Sequence, residues 1–198
     1  MIARDSILGV VLAGGLSRRM ASPTPKALLD FRGRPMISHA LDALAPQVAT
    51  IVINANAEQL AFERYGFPVV PDRVDGFVGP LAGLHAAMHA YPTYAWYVMC
   101  PCDSPFLPDN LVGHFAASVE STGALLVSAE CEGQTHPVFA MVHASLLDSL
   151  SQYLETGGRK IDRWYAQERY QLTHFNDAKG FLNFNTPEEL AAYNSSSP

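Results

Sequence analysis

The chain has 198 residues with 13 basic against 19 acidic side chains, a net charge of −6, and is 48% hydrophobic and 16% charged. That composition excludes a disordered tail, and a chain of this length buries about 70% of its surface on folding, enough for one core without disulfides or structural metal. The acidic balance argues against a nucleic-acid binder, which needs many phosphate-facing Lys and Arg. Cys100, Cys102 and Cys131 cannot all pair, which points to a reducing compartment.

Arg4 and the apolar run 7–13 have the outline of a minimal signal peptide. Asp5 sits just before the run, however, and Arg18-Arg19 stand where small residues should mark a cleavage site. No apolar stretch approaches a bilayer span. The expectation is a cytoplasmic protein with no membrane partner.

Residues 7–13 are continuously apolar, as in a strand covered on both faces. Further strands are expected at 50–53, 69–70, 96–99 and 124–127, with helical spacing of apolar residues over 35–44 and 80–90. The second half reads as strands at 136–142 and 170–175, with helices near 145–155 and 160–166. Thr186-Pro187-Glu188-Glu189 is a helix start, with Thr as the cap, Pro at the first position and Glu three residues after the cap. Residues 194–198 are expected to fray. Strands alternating with helices predict a three-layer α/β fold with a mostly parallel sheet, a Rossmann-like nucleotide-binding half and a smaller mixed C-terminal part.

The strongest chemical signal is Leu12-Ala13-Gly14-Gly15-Leu16-Ser17-Arg18-Arg19-Met20, directly after the first strand. Paired glycines free the backbone to aim N–H groups at an anion, and Arg18, Arg19 and Lys26 supply charge for a polyphosphate. The segment is neither a P-loop nor a dinucleotide fingerprint, since the required Lys-Ser/Thr and third glycine are missing. Asp103, in Cys100-Pro101-Cys102-Asp103-Ser104-Pro105, follows a buried strand and is projected to the same edge, where a carboxylate beside phosphates is a usual ligand for Mg²⁺. The flanking Cys-x-Cys has no second pair and is read as buried or lining thiols rather than zinc ligands. Asn54 and Asp72 each follow a strand and reach that edge. His85 and His89 stand one helical turn apart but lack a third ligand, so a solvated helix face is expected. There is no G-x-S-x-G and no nucleophile triad.

Together these residues resemble the molybdenum cofactor guanylyltransferase family, within the nucleotidyltransferase superfamily. The opening loop is followed in family order by Pro25-Lys26-Ala27-Leu28-Leu29, Gly33-Arg34-Pro35-Met36, Asn54-Ala55-Asn56, Gly79-Pro80-Leu81-Ala82-Gly83 and the Cys100–Pro105 segment. The last matching run is Asn183-Phe184-Asn185-Thr186-Pro187-Glu188-Glu189-Leu190.

The resemblance implies transfer of GMP from GTP to the phosphate of molybdopterin (carrying molybdenum or not), with release of diphosphate and Mg²⁺ as cofactor. It implies that Leu12, Ala13, Gly14 and Gly15 cradle the nucleotide, that Lys26, Asn54 and Asp72 hold phosphate, base or ribose, and that Asp103 binds the metal. Arg19 joins Lys26 and Asp103 as catalytic, while Gly79, Gly83, Asn183 and Asn185 fall on the acceptor side. The corresponding division is a nucleotide-binding half over about 7–110 and an acceptor-binding half over about 111–193, within one domain. An acceptor molybdoenzyme or its chaperone is the implied protein partner. One departure is Met20-Ala21-Ser22-Pro23-Thr24-Pro25-Lys26, where the family has glycine after Arg-Met and an Asp before the lysine. A cytidylyltransferase on the same acceptor, a sugar-phosphate nucleotidyltransferase and a non-catalytic cofactor-binding adaptor stay open as alternatives.

Overall fold

The structure is a computed structural model that describes residues 1–14, 24–74, 79–184 and 186–195. Strand β1 (Ile7–Leu12) alternates Ile7 and Val11 toward one buried layer with Leu8 and Val10 toward the other. A 3-10 turn, Lys26–Leu28, leads into a small hairpin of β2 (Asp30–Phe31) and β3 (Arg34–Pro35), and then into α1 (Met36–Leu44). Next come β4 (Thr50–Asn54), α2 (Gln59–Glu63), β5 (Val69–Val70), α3 (Pro80–Ala90), β6 (Trp96–Pro101) and α4 (Leu111–Thr122). The chain continues through β7 (Leu126–Cys131), β8 (Gln134–His143), α5 (Leu147–Glu155), α6 (Ile161–Tyr165), β9 (Tyr170–Phe175), a 3-10 turn Ala178–Phe181 and α7 (Pro187–Ser195).

The main sheet has the order β5-β4-β1-β6-β8-β7-β9. Strand β8 runs antiparallel to β6 and β7, while the other adjacent strands pair in parallel. Apolar side chains of α1 and α4 cover one face, among them Ile37, Leu41, Leu111 and Phe115. Leu84 and Met88 of α3, Leu150 of α5 and Trp164 of α6 cover the other. The expected three-layer α/β sandwich is therefore present, and its C-terminal strands continue the same sheet. No helix among the described residues is long and apolar enough to cross a membrane.

Several elements differ from the sequence reading. Helix α4, helix α2 and the β2–β3 hairpin were not anticipated, the last because its turn uses Arg32 and Gly33 at φ 53° and 81° without an Asn-Gly or Asp-Gly signal. The strand expected at 124–127 runs instead as Leu126–Cys131, because its polar members are satisfied inside: Ser128 shares a 2.7 Å hydrogen bond with Tyr170, and Glu130 pairs with His174. The expected frayed tail begins too early. The Asn194 amide donates to the Asp30 carbonyl at 3.0 Å, and its oxygen accepts from the Arg32 amide at 3.0 Å, so α7 is tied to the hairpin. The Thr186–Glu189 capping box is formed in both directions, each bond at 3.2 Å.

The His85–His89 pair is a correction to the solvated face expected for it. His89 is exposed, but His85 is 7% exposed, with its Nε2 3.0 Å from Ser151 Oγ on α5 and 3.1 Å from His89 Nε2. Ser151 donates its own proton to the Leu147 carbonyl, so His85 Nε2–H is the donor to Ser151. Burial first, then the charges of His89 and Arg73, lower its pKa from 6.5 to about 4. Between those values the unfolded chain takes up the proton more readily. The stability contributed by neutral His85 is therefore complete above the ordinary value and is lost as pH falls toward the lowered one. The melting temperature should drop by several degrees between about pH 7 and about pH 4.5, and His85→Gln should flatten that part of the profile. An unchanged slope in calorimetry of the variant would remove His85 from the effect.

Candidate active site

The strand order reverses beside β1: β4 and β5 lie on one flank and β6 on the other, leaving a crevice beyond the carboxyl ends of these strands. Leu12 stands opposite both Asn54 and Pro101 in register, so the three strands end level. Main-chain bonds continue past the ends, from Ala13 N–H to the Asn54 carbonyl at 2.8 Å and from Cys102 N–H to the Leu12 carbonyl at 3.1 Å. Ala13, Gly14, Asn54 and the approach to Asp103 are thereby fixed along one rim.

On the β4 flank, an amide network closes around Asp72. Asn54 Nδ2 donates to Asp72 Oδ1 at 2.9 Å and to the Val70 carbonyl at 3.2 Å. Asn56 Nδ2 donates to Asp72 Oδ2 at 2.7 Å, and Asp72 N–H returns a 2.7 Å bond to Asn56 Oδ1. Asn56 was not among the expected site residues. Its signal was the Asn-x-Asn spacing, which puts both amides on one side of an extended chain. Gly14 passes close by: a Cβ there would lie 3.3 Å from Asn56 Nδ2 and 3.4 Å from Asn54 Oδ1. Gly83 on α3 is more constrained, since a Cβ would run into the Asn54 side chain and Leu12. Gly79 caps α3 at φ 81° and ψ −165°, a conformation restricted to glycine.

On the β6 flank, Lys26 Nζ pairs with Asp103 Oδ2 across 77 residues of sequence, and each side chain is only 14% exposed. The lysine is presented by its 3-10 turn, and Ala27 beside it is buried under α1. Burial and, secondarily, the Asp103 carboxylate push the Cys100 thiol up to about 12 and raise Cys102 as well. Both stay protonated thiols, unsuited to nucleophilic or zinc chemistry at neutral pH. Beyond Asp103, a cavity of about 560 Å³ extends to Asn183.

The structure therefore gathers Leu12, Ala13, Gly14, Lys26, Asn54, Asp72, Gly83 and Asp103 at one rim. Of the expected acceptor-side positions, Asn183 borders the cavity, Gly79 caps α3, and Gly83 packs on Leu12 and Asn54. Gly15, Arg19 and Asn185 lie outside the described residues. Among the described residues no group of three or more His, Cys, Asp or Glu could hold a metal alone. The Asp103 carboxylate does fit Mg²⁺, which binds through one or two carboxylates and takes its other oxygens from phosphates and water.

Gly83→Ala gives a direct test of the rim. Two hydrogen bonds hold the Asn54 side chain, and an added methyl at position 83 must displace it. The variant, with its fold checked by a melting transition, should therefore bind nucleoside triphosphate at least about tenfold more weakly in a calorimetric titration. Wild-type affinity would separate Asn54 from nucleotide binding.

The family described as MobA-like NTP transferase domain matches residues 9–171. A molybdenum cofactor guanylyltransferase of Cupriavidus taiwanensis is 46% identical over 198 residues, covering 98% of each chain. That of Shewanella piezotolerans is 41% identical over 186 residues, covering 93% of this chain and 90% of the other. Among solved structures, molybdopterin-guanine dinucleotide biosynthesis protein A from Archaeoglobus fulgidus superposes with a TM-score of 0.75 at 24% identity, covering 94% of this chain and 96% of that one. With the switch-point crevice, Gly14 at its rim and the Lys26–Asp103 pair in place, the chain belongs to the molybdenum cofactor guanylyltransferase family of nucleotidyltransferases.

Proposed function

We propose that this chain transfers GMP from GTP to the phosphate of molybdopterin in the cytoplasm, forming molybdopterin guanine dinucleotide and diphosphate with Mg²⁺ as its metal. The observation that carries the reading is the Lys26–Asp103 pair at the crevice, flanked by Gly14 and the Asn54–Asp72 network. The names of relatives 46% and 41% identical to it support the choice of substrates.

The acceptor phosphate is a dianion near neutral pH and needs no strong general base. One of its oxygens attacks the α-phosphorus of GTP, the bond from that phosphorus to the β-phosphate oxygen breaks in line, and diphosphate leaves with the electron pair. Catalysis then consists of positioning and charge neutralisation. Leu12, Ala13, Gly14 and Gly15 cradle the triphosphate, while Asn54 and Asp72 hold ribose or base. Lys26 exchanges its carboxylate partner for phosphate oxygens and, with Arg19, neutralises the leaving diphosphate. Asn183 and Asn185 serve the acceptor, with Gly79 and Gly83 shaping the floor between the two substrates. Asp103 would hold Mg²⁺, which when bound neutralises phosphate charge and polarises the phosphoryl oxygens. The product passes to a molybdoenzyme or its chaperone.

The test is incubation with Mg²⁺ and molybdopterin beside either GTP or CTP, with chromatographic assay for the dinucleotide and diphosphate. Guanine dinucleotide from GTP is expected. Product from CTP alone would replace the base assignment, and no transfer from either would overturn the reaction. Asp103→Asn keeps the side chain's volume but removes the anionic ligand, and should lower turnover more than 100-fold, a barrier increase of about 3 kcal/mol. Lys26→Ala should weaken GTP binding much more than pterin binding, as read by separate titrations. The reverse pattern would exchange the two substrate sites.

A further inference from the structure

The cavity beside Asp103 arises from a defect in the sheet. Ser128 pairs with Ala140, but the next residue, Ala129, pairs with His136, so Pro137, Val138 and Phe139 form a bulge with no partner on β7. Pairing of β8 with β6 ends at the same place, with Met99 opposite Ala140. Beyond that point the β7–β8 hairpin leaves β6, and the opening between its tip and Pro101–Asp103 is the cavity. Such bulges bend a strand and re-aim its side chains. This one is pinned from behind, where the Tyr165 hydroxyl donates to the Pro137 carbonyl at 2.7 Å. The hairpin tip is closed by Glu132 and Gly133 at φ 52° and 79°, with Gly133 N–H donating to Glu130 at 2.6 Å.

One wall of the cavity is a flat aromatic surface. The His136 ring stacks on Phe181 at 4.7 Å and 19° between planes, and Phe139 meets Phe181 edge-on at 5.0 Å. Burial lowers the pKa of His136, outweighing the Glu130 charge, so the ring is neutral near pH 7 and offers a π face rather than a cation. Asp103, Gln134, Thr135 and Asn183 also line the cavity, so hydrogen-bonding groups surround the aromatic wall, a mixed lining that suits a flat, polar-edged ring. The volume, about 560 Å³, lies in the range of about 300–1,000 Å³ that small-molecule sites occupy. The Asn54–Asp72 network lies on the opposite flank of β1, so a nucleotide held there leaves this cavity for the other reactant.

We infer that the bulge cavity is the seat of the pterin ring system, with His136 as the residue that orients it by stacking so that the acceptor phosphate points at Asp103. The assignment rests on the transfer reaction proposed above and adds to it a place and a positioning residue.

The probe is the oxidised, fluorescent pterin phosphate derived from molybdopterin, titrated into wild type and variants in parallel with GTP. His136→Ala should raise the Kd of the pterin about tenfold and the KM for molybdopterin in proportion, leaving the Kd of GTP unchanged. His136→Phe, which keeps a flat face, should restore pterin affinity to within about twofold of wild type. Val138→Trp, which fills the cavity from the bulge, should abolish pterin binding while GTP still binds. Wild-type pterin affinity in both His136→Ala and Val138→Trp would overturn the assignment, with the transfer reaction intact if wild type still forms the dinucleotide. A wild-type protein that forms no dinucleotide would overturn the transfer reading and this assignment together.

Discussion

The site depends on where three strands stop. Because Leu12 is level with Asn54 and Pro101, the first hydrogen bonds beyond the sheet run from Ala13 to Asn54 and from Cys102 to Leu12. These bonds set Ala13, Gly14 and the Asp103 segment at the same crevice without any side chain having to bridge them. A register shift of one residue in β4 or β6 would reverse which side chains meet the buried layers and carry Asn54 or Asp103 away from the rim. The functional geometry is thus a consequence of backbone pairing in the most buried part of the sheet, where it is hardest to perturb.

A second constraint acts from the edge. Lys26, Asp103 and Asn183 come from distant parts of the chain, yet each is followed within five residues by an aromatic anchor: Phe31, Phe106 and Phe184. Phe31 meets Phe106 at 5.6 Å and Phe184 at 5.2 Å, and Tyr193 of α7 touches all three at 5.1 to 5.7 Å. Arg32 lies over the Tyr193 ring at 5.2 Å. The C-terminal helix therefore clamps the roots of three site segments in one satellite core. This accounts for a strong helix start at Thr186 in a segment far from the main core, and for the two hydrogen bonds Asn194 spends on the hairpin.

Much of this was legible because it is local. A continuous apolar run announces a strand buried on both faces, and a glycine pair or a lone Asp after such a run announces the functional rim. Asp103, Asn54 and Asp72 were legible as residues that follow strands, and their convergence follows from parallel topology. Lys26 was legible only as a cation downstream of the glycine pair, and it reaches the rim from a 3-10 turn. What stayed hidden depends on partners remote in sequence. Asn56 gains its meaning from Asp72, His85 from Ser151, and buried Glu130 from His174. The three-residue bulge of β8 was invisible for a related reason: Val138 and Phe139 fit a regular strand pattern, and only the register with β7 shows them unpaired. Pro137 was the one local hint, since proline within a strand is found at edges and bulges.

The Lys26–Asp103 pair also bears on how an acidic protein takes up a polyanion. Two carboxylates, Asp72 and Asp103, stand at the crevice, and in a partly buried setting each repels an incoming triphosphate. Asp72 is answered by the amides of Asn54 and Asn56, dipoles that satisfy its oxygens without fixing a cation there. Asp103 is answered by Lys26, whose charge is mobile on a four-carbon stem. Under the proposed reaction the nucleotide would supply phosphate oxygens to the ammonium, and Asp103 would hold the cation that neutralises it in place of Lys26. Neither charge is then left buried and alone, the state that makes a broken ion pair costly. The closed pair is in this sense the resting form of both binding contacts, and it explains how two opposite charges can be kept 14% exposed at a site that must open to bind.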